Sequence, residues 1–473
     1  QGGGGVVPNS RFNEISFKTN AGLTNRFGTF KLFYDFNNQK LGLVEDEAID
    51  EIKERGRKNK IWYQDFKTHL LSSQNRLYFG KSKLEINSAY QNTELAHFGE
   101  ADIVEIQMQL ATLTYEAILH LPSGENAEYI TGFQGYNQIN KNLNNRETVL
   151  LPDASINNYS VFGLFQYTFF NRLKLQTGIR YDNKSISTQA IGLPEDTLAY
   201  RAAINKYFDS FSGSFGATFN YTEKLLFRAN FAAAYRTPNL AELTSNGPHE
   251  LRYEIGDQHL AAENSYETDF SIHYHIDNFM FDIAGYYNVI DNYIFISPTG
   301  KITSSGLNIY KYKQVNSCLY GGEVGLHFHP ESMKWLSFEP TFSFVTGKQK
   351  NGDYLPFVPA NKLNFELRAE KENMRFIHKP FISVFTNTAF KQTKIAPDET
   401  TTNGYILLDL SVGGNIKIEN QLISVSIGAN NLLDKKYIDH LSTLKEVSLF
   451  NSGRNISLNI KIPFEISQHG KIL

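Results

Sequence analysis

Hydrophobic and polar residues alternate along most of this chain, in stretches of about ten residues. In segment 173–182 the odd positions carry Leu, Leu, Thr, Ile and Tyr, whereas the even positions carry Lys, Gln, Gly, Arg and Asp. Segments 225–233 and 456–464 repeat this pattern. Successive side chains of a β-strand point to opposite faces, so each segment has an apolar and a polar face. About nineteen such segments follow one another, which is typical of a membrane barrel with a polar interior.

The connections between the segments alternate between short and long. Asp277-Asn278 and Thr222-Glu223-Lys224 read as short turns. The long polar connections are 43–63, 186–207, 236–266, 297–310 and 438–454. Short turns on one rim and long loops on the other are typical of outer-membrane barrels. A soluble β-sandwich or propeller would instead show strands of about five or six residues and regular repeats. The sequence therefore predicts an all-β fold, an antiparallel transmembrane β-barrel that spans residues 1–473 as one domain.

Composition narrows the class of protein further. The 473 residues include 36 Phe and 26 Tyr, and no apolar run approaches the roughly 18 residues of a transmembrane helix. A net charge of −3 does not indicate a nucleic-acid partner. The single cysteine, Cys318, excludes a disulfide framework and a thiolate metal cluster. The densely charged segment 45–60 predicts a short exposed helix within a loop.

Recognition, rather than catalysis, is the chemistry that the sequence indicates. The chain contains no P-loop, dinucleotide fingerprint, H-E-x-x-H or G-x-S-x-G motif, so we predict neither an enzyme nor a cofactor. The loop after Arg236 concentrates imidazoles and carboxylates, which suit zinc or another divalent ion. These side chains are His249, Glu250, Glu254, Asp257, His259 and Glu263. The candidate metal ligands are His249, Asp257 and His259. The candidate substrate-binding residues are Arg236, Asn246, His249, Glu254, His259 and His440.

The same loop has a second reading, in which its polar side chains hold the loop itself. Glu242 and Glu254 can accept hydrogen bonds from backbone N–H groups, and Arg236 can pair with one of them in the mouth. Asn246-Gly247-Pro248 has the composition of a turn. Asp439 and His440, in the last long loop, could approach the same mouth when the barrel closes.

Two histidine pairs lie elsewhere, just before short turns, and each pair shares one face of a strand. The pairs are His273 with His275, and His327 with His329. Such pairs could chelate a metal from the lumen, but the pattern favours a position at the periplasmic rim without a metal.

Three passages go beyond the general barrel pattern. The first is AYRTPNLAEL (234–243), followed by polar sequence through Glu263. The second is the tail from Ala429 to Phe464, with NLLDKKY and GR motifs, and a weaker third begins GFQGYNQINKNLN at Gly132. These passages resemble TonB-dependent outer-membrane receptors. The S-N-G-x-H and H-L-x-x-E spacings resemble their siderophore-uptake and zinc-uptake branches.

This resemblance implies a 22-stranded barrel closed by an N-terminal plug domain, which contacts TonB. It implies energy-coupled import of a scarce nutrient, such as an iron–siderophore or metal complex, across the Gram-negative outer membrane. The implied partners are outer-membrane lipids, TonB and a small-molecule or metal-chelate ligand, with no nucleic acid. The receptor would be a monomer, in some cases with a surface lipoprotein. A passive porin or adhesin-like barrel is the alternative.

The family pattern has more parts than this sequence shows. About nineteen of a probable 22 strands are visible, and nothing before Val6 resembles a plug. A single-chain bacterial barrel closes with an even number of strands. We therefore expect this chain to be the C-terminal barrel portion of a longer polypeptide, with the plug and roughly three strands missing.

Overall fold

A computed structural model describes residues 7–44, 46–52, 56–100, 103–143, 146, 148–192, 200–249, 252–304, 306–419 and 421–463. These described residues form one sheet of 22 strands. The first ten are β1 Phe12–Asn25, β2 Gly28–Gly42, β3 Tyr63–Phe79, β4 Ser82–Phe98, β5 Val104–Ser123, β6 Ala127–Asn142, β7 Ala154–Phe169, β8 Leu173–Thr188, β9 Asn205–Asn220 and β10 Leu225–Arg236.

The remaining strands are β11 Asn246–His249, β12 Arg252–Ile255, β13 Glu263–Ile276, β14 Phe279–Ile302, β15 Asn308–Phe328, β16 Leu336–Gln349, β17 Lys362–Glu370, β18 Asn373–Met374, β19 Ile377–Ala389, β20 Tyr405–Ile418, β21 Gln421–Asn430 and β22 Asn455–Lys461. The α-helices are α1 Asp46–Glu51 and α2 Leu240–Thr244. Single 3₁₀ turns span Glu331–Met333 and Thr443–Lys445.

The long strands form an antiparallel wall. The short strands β11, β12 and β18 pair within the sheet but do not separate the long strands from one another. Strand β10 therefore pairs directly with β13, and β17 with β19. The wall thus has 19 strands among the described residues, which agrees with the alternation in the sequence. Its first strand pairs with β2 and its last with β21, and no pairing between β1 and β22 occurs in the described ranges. The predicted all-β, antiparallel fold is confirmed.

The two faces of the wall are inverted relative to a soluble protein. Large apolar side chains are exposed, including Ile179 at 74% and Ile427 at 55% of their surface. Polar side chains such as Asp182 and Ser160 are buried, and a hydrogen bond joins these two across β7 and β8. Such an arrangement suits apolar surroundings outside and a polar interior. No helix among the described residues is long and apolar enough to cross a membrane.

The connections confirm the predicted difference between the rims. The β13–β14 connection is only Asp277-Asn278, whereas the 26 residues 237–262 separate β10 from β13 and include α2, β11 and β12. One predicted loop is wrong, because β14 runs to Ile302 and β15 starts at Asn308, which leaves a loop of 303–307 rather than 297–310. The predicted helix in 45–60 is confirmed as the shorter α1, although part of that segment lies outside the described residues.

The inverted faces predict opposite responses to a charge on one strand. Replacing the exposed Ile179 with Arg would place a cation in lipid, which costs roughly 2–4 kcal/mol near the bilayer centre. Replacing Gln176, on the polar face of the same strand, with Arg would change the free energy of unfolding by less than about 0.5 kcal/mol. Urea unfolding from phosphatidylcholine vesicles measures both. Equal losses in I179R and Q176R would contradict this assignment of the faces.

Candidate functional site

The RTPNLAEL passage is the point where the chain leaves the wall and turns across the loop rim. Pro238 follows the end of β10, and Asn239 caps the short helix α2. The Asn239 side chain accepts a hydrogen bond from the Glu242 amide, and the Glu242 carboxylate accepts one from the Asn239 amide, both at 2.8 Å. This reciprocal capping box satisfies two amides that would otherwise lack partners at the helix start. The passage is therefore first a folding signal for the loop.

Arg236 joins this loop to the wall. Its guanidinium donates to both oxygens of Glu242 at 2.9 and 3.0 Å, and to both oxygens of Glu263 at 2.6 and 2.9 Å. Both carboxylates are buried, and Glu263 also accepts from the Ile294 amide at 2.6 Å. A planar guanidinium suits such paired recognition of carboxylates. Arg236 thereby connects β10, α2, β13 and β14, which agrees with the reading of this loop as self-supporting.

Arg201 is a second brace, which the sequence did not point to. Its two terminal nitrogens donate to backbone carbonyls of Leu150 and Asn246 at 2.6 Å each, and of Val149 at 2.9 Å. Burial lowers the pKa of this guanidinium. The side chain connects three successive long loops, those after β6, β8 and β10. Backbone acceptors have no sequence signature, so no motif could have revealed this contact.

The strands β11 and β12 form a hairpin over the rim. The predicted turn 246–248 is wrong, because Asn246, Gly247 and Pro248 belong to β11. The second strand pairs in parallel with β15, with Tyr253 opposite Ile309. Asn246 accepts a hydrogen bond from the Tyr253 hydroxyl at 2.9 Å, within the hairpin.

Glu254 holds the hairpin from within. It is 5% exposed and accepts hydrogen bonds from Arg252 at 2.7 Å and Tyr312 at 3.3 Å, and it lies 3.2 Å from His249. Burial favours the neutral acid, but the contacts with His249 and Arg252 outweigh burial and lower the pKa of Glu254 to about 2. The carboxylate is therefore ionised at neutral pH and committed to its neighbours.

The predicted metal ligands contact different partners. His249 lies beside Glu254, whereas Asp257 pairs with Lys311 at 3.2 Å and accepts the His259 amide at 2.9 Å. The His259 side chain is exposed. No group of three or more His, Cys, Asp or Glu side chains in the described ranges could hold a metal ion. A metal site formed by His249, Asp257 and His259 stays a prediction.

His440 lies in a separate cluster on the same rim. It is buried, with its Nδ1 2.9 Å from the Thr402 hydroxyl and its Nε2 3.9 Å from Glu399. Burial lowers the pKa of this imidazole, and so does the nearby Lys445. Its contacts within the described chain are with the loop between β19 and β20 and with its own loop. The expected approach of His440 to the Arg236 loop is therefore not among the contacts seen.

The tail passage is also a corner that holds a loop. The Asn431 amide donates to Asp409 at 2.7 Å, and its side chain donates to the carbonyl of Lys435 at 2.9 Å. The Arg454 amide donates to Asp434 at 3.0 Å. These contacts connect both ends of the last loop, so the N-L-L-D-K-K-Y and G-R motifs have one structural role. Phe464, the end of the passage, lies outside the described residues.

The two histidine pairs lie at the short-turn rim, as predicted, and at least one histidine of each pair contacts an acid. His273 lies 2.6 Å from Asp282, and His327 lies 2.8 Å from Glu339.

A polar cavity of about 400 Å³ opens on the inner face beside Arg236. Its lining includes Tyr136, Asn158, Arg180, Asp182, Lys184, Tyr235 and Arg236. Asp182 is bound by Arg180 at 2.7 and 2.8 Å. Lys184 donates to the Thr237 hydroxyl at 2.8 Å, and in the described residues no carboxylate forms an ion pair with it. The cavity therefore combines phenol groups with one cation that has no carboxylate partner there.

Removing the Arg236 guanidinium is predicted to loosen the whole loop. In R236A the buried Glu242 and Glu263 carboxylates lose their cation, which costs about 3–5 kcal/mol for a broken buried pair, less where water reaches it. Amides of α2 and β11 should exchange hydrogen at least tenfold faster. R228A serves as the control, because Arg228 lies on the same strand and forms no ion pair within the described residues. Unchanged exchange in R236A would contradict the bracing role.

Acid is predicted to release the hairpin. The pKa of Glu254 is about 2 in the fold against an ordinary value of 4.5, so its stabilising effect is complete above about 4.5 and is lost toward pH 2. Pepsin should begin to cut the hairpin only as the pH falls through this window. E254Q should be cut throughout the acidic range in which pepsin is active, whereas E446Q, at an exposed glutamate in the last loop, should follow the wild type. A wild-type hairpin that is cut equally at pH 5 and pH 2.5 would disprove the linkage.

Comparison with known proteins identifies the wall. The family described as TonB dependent receptor-like, beta-barrel, matches residues 4–432. The ferric enterobactin receptor of Pseudomonas aeruginosa is 24% identical over 252 residues, which cover 48% of this chain and 33% of that protein. The chain thus spans about a third of this curated relative.

Two solved structures share the fold. The copper transporter OprC has a TM-score of 0.76 at 17% identity, covering 96% of this chain and 72% of its own. The FrpB iron transporter from Neisseria meningitidis (F3-3 variant) has a TM-score of 0.73 at 15% identity, covering 97% and 73%. These are receptors and transporters, in agreement with the prediction that the chain is not an enzyme. The chain belongs to the TonB-dependent receptor family, whose β-barrel domain it matches.

Proposed function

We propose that this chain is the barrel of a receptor that imports a metal chelate, such as an iron–siderophore, across the outer membrane of a Gram-negative bacterium. In this proposal a plug domain closes the barrel, and TonB supplies energy through the plug. Residues 1–473 would be the barrel domain of that longer polypeptide. The relatives support the substrate class, since they are a ferric enterobactin receptor, a copper transporter and an iron transporter.

The observation that carries the proposal is the polar cavity beside Arg236. Its volume of about 400 Å³ lies in the range of small-molecule sites. Arg180 and Arg236 are already paired with carboxylates, so Lys184 is the cation best placed to meet an anionic ligand. Ferric complexes of catecholate or hydroxamate chelators present oxygen atoms. The ammonium group of lysine and the hydroxyl group of tyrosine can donate hydrogen bonds to these oxygens.

Among the predicted substrate-binding residues, the exposed ones are the better candidates for ligand contact. His259 is exposed, and the His249 side chain is 43% exposed. Asn246 lies on β11, the same strand as His249. Arg236, Glu254 and His440 are engaged in contacts within the loops, so we propose that they shape the mouth.

Uptake in cells tests the transport proposal against the passive alternative. The complete reading frame would be expressed in a strain that lacks its own ferric receptors, and ⁵⁵Fe accumulation measured with ferric catecholate and ferric hydroxamate chelates. We expect at least tenfold more uptake than with an empty vector for one chelate. That uptake should disappear in a strain without TonB. Uptake that persists without TonB would support a porin and overturn the proposal.

Lys184 supplies the matched variant for the same assay. K184Q removes the cation from the cavity. The loss of one charged hydrogen bond predicts that the chelate concentration at half-maximal uptake rises about tenfold. K174Q changes a lysine ten positions earlier on β8, on the same face but toward the short turns, and should leave uptake unchanged. Equal effects of the two variants would argue against the cavity as the binding site.

A further inference from the structure

The outer face of the wall has an apolar groove near the short turns. Its volume is about 560 Å³, and it lies on β17, β19, β20 and β21. The residues that shape it are Trp335, Ala369, Lys371, Ile377, Val412 and Ile427. It lies at the opposite end of the wall from Arg236 and Arg201.

An irregularity in β19 creates the groove. The pairing of β19 with β20 shifts register between His378 and Phe381, and Lys379 between them has a φ of 49°. Such a bulge bends the strand locally. Gly414 on β20 allows the close approach that results, because a Cβ there would lie 2.5 Å from Ile377 Cγ2. The wall is therefore indented where neighbouring segments are regular.

The groove belongs to the face that contacts lipid. Ile382, Val412 and Ile427 stand opposite one another on adjacent strands and are 46%, 47% and 55% exposed. This row has the same exposed, apolar character as Ile179 on β8. Because the groove is continuous with this apolar surface, hydrocarbon is the occupant that its walls fit.

One end of the groove has a different character. Lys371 and Trp335 line it where β17 ends and β16 begins, and Trp335 is 44% exposed. Glu370 also lines the groove, but Arg368 binds it at 2.6 Å. Lys371 has no ion pair in the described residues. Tryptophan and lysine are typical of the level of lipid headgroups, so this end suits a phosphate.

We propose that the groove binds one anionic phospholipid of the leaflet at the short-turn rim. One acyl chain would lie between Ala369 and Ile427, with the phosphate at Lys371 and the glycerol region beside Trp335. This proposal rests on the membrane location in the proposed function, but not on the transported substrate.

Tryptophan fluorescence tests the proposal directly. Residues 1–473 contain two tryptophans, so W62F leaves Trp335 as their single tryptophan fluorophore, and any tryptophan outside these residues would be replaced by Phe as well. The full-length protein would be placed in phosphatidylcholine vesicles that contain equal mole fractions of either brominated phosphatidylglycerol or brominated phosphatidylcholine. Bromine quenches tryptophan on contact. We expect about fivefold enrichment of the anionic lipid at Trp335, the effect of about one lysine near a headgroup.

Two variants and one control separate a site from general attraction. In the W62F background, K371E should reduce the enrichment to about onefold, and A369F should fill the groove and reduce quenching by both lipids. K81E, in the exposed β3–β4 turn of the same rim, should keep the fivefold preference. Equal quenching by the two lipids, or a preference that survives both K371E and A369F, would overturn the proposal. No quenching by either lipid would place Trp335 outside the bilayer and overturn the membrane location as well.

Discussion

Backbone hydrogen bonding without water is the constraint on which the rest of this structure depends. Lipid offers no partners to N–H and C=O groups, so a chain that crosses it must satisfy them between its own strands. The wall does this with long, regular pairings, such as the 17 successive pairs between β3 and β4. Once the strands are fixed in this way, side chains alternate between the outer and inner faces. The exposed apolar surface and the buried polar interior both follow.

The loop rim solves a different problem, because long loops must be ordered without a hydrophobic core of the usual size. Here two arginine side chains hold the loops together. Arg236 binds two buried carboxylates from separate segments, and Arg201 binds carbonyls from two loops other than its own. A small apolar cluster that includes Ile186, Leu243 and Leu260 packs beneath them. The mouth is therefore shaped before any ligand arrives, and the cavity beside Arg236 is part of that shape.

The fold could be predicted from the sequence because a strand repeats every two residues, and the alternation around Ile179 shows this plainly. The number of wall strands and the short-turn rim were predicted for the same reason. The site could be predicted only in part. Arg236 and Glu242 stand in a recognisable motif, but the acceptors of Arg201 are backbone carbonyls, which no residue type marks. The composition of 246–248 indicated a turn, yet these residues pair with β12, which is itself held by the distant strand β15.

The predicted metal ligands show what sequence spacing does not include. Imidazoles and carboxylates within one loop were grouped because they are close in sequence. In the structure, Glu254 accepts a hydrogen bond from Arg252, and Asp257 pairs with Lys311. Side chains of opposite charge compete with any metal ion for the same carboxylates, and sequence spacing does not reveal that competition.

The parallel pairing of β12 with β15 has a consequence for the order of assembly. Tyr253 pairs with Ile309, which lies more than fifty residues later in the chain, on the far side of β13 and β14. The β11–β12 hairpin cannot take its final place until the β14–β15 hairpin exists, because β15 is the strand that β12 pairs with. Neighbouring strands of the wall need no such delay. This part of the mouth is therefore completed only after β13, β14 and β15 have already paired beneath it.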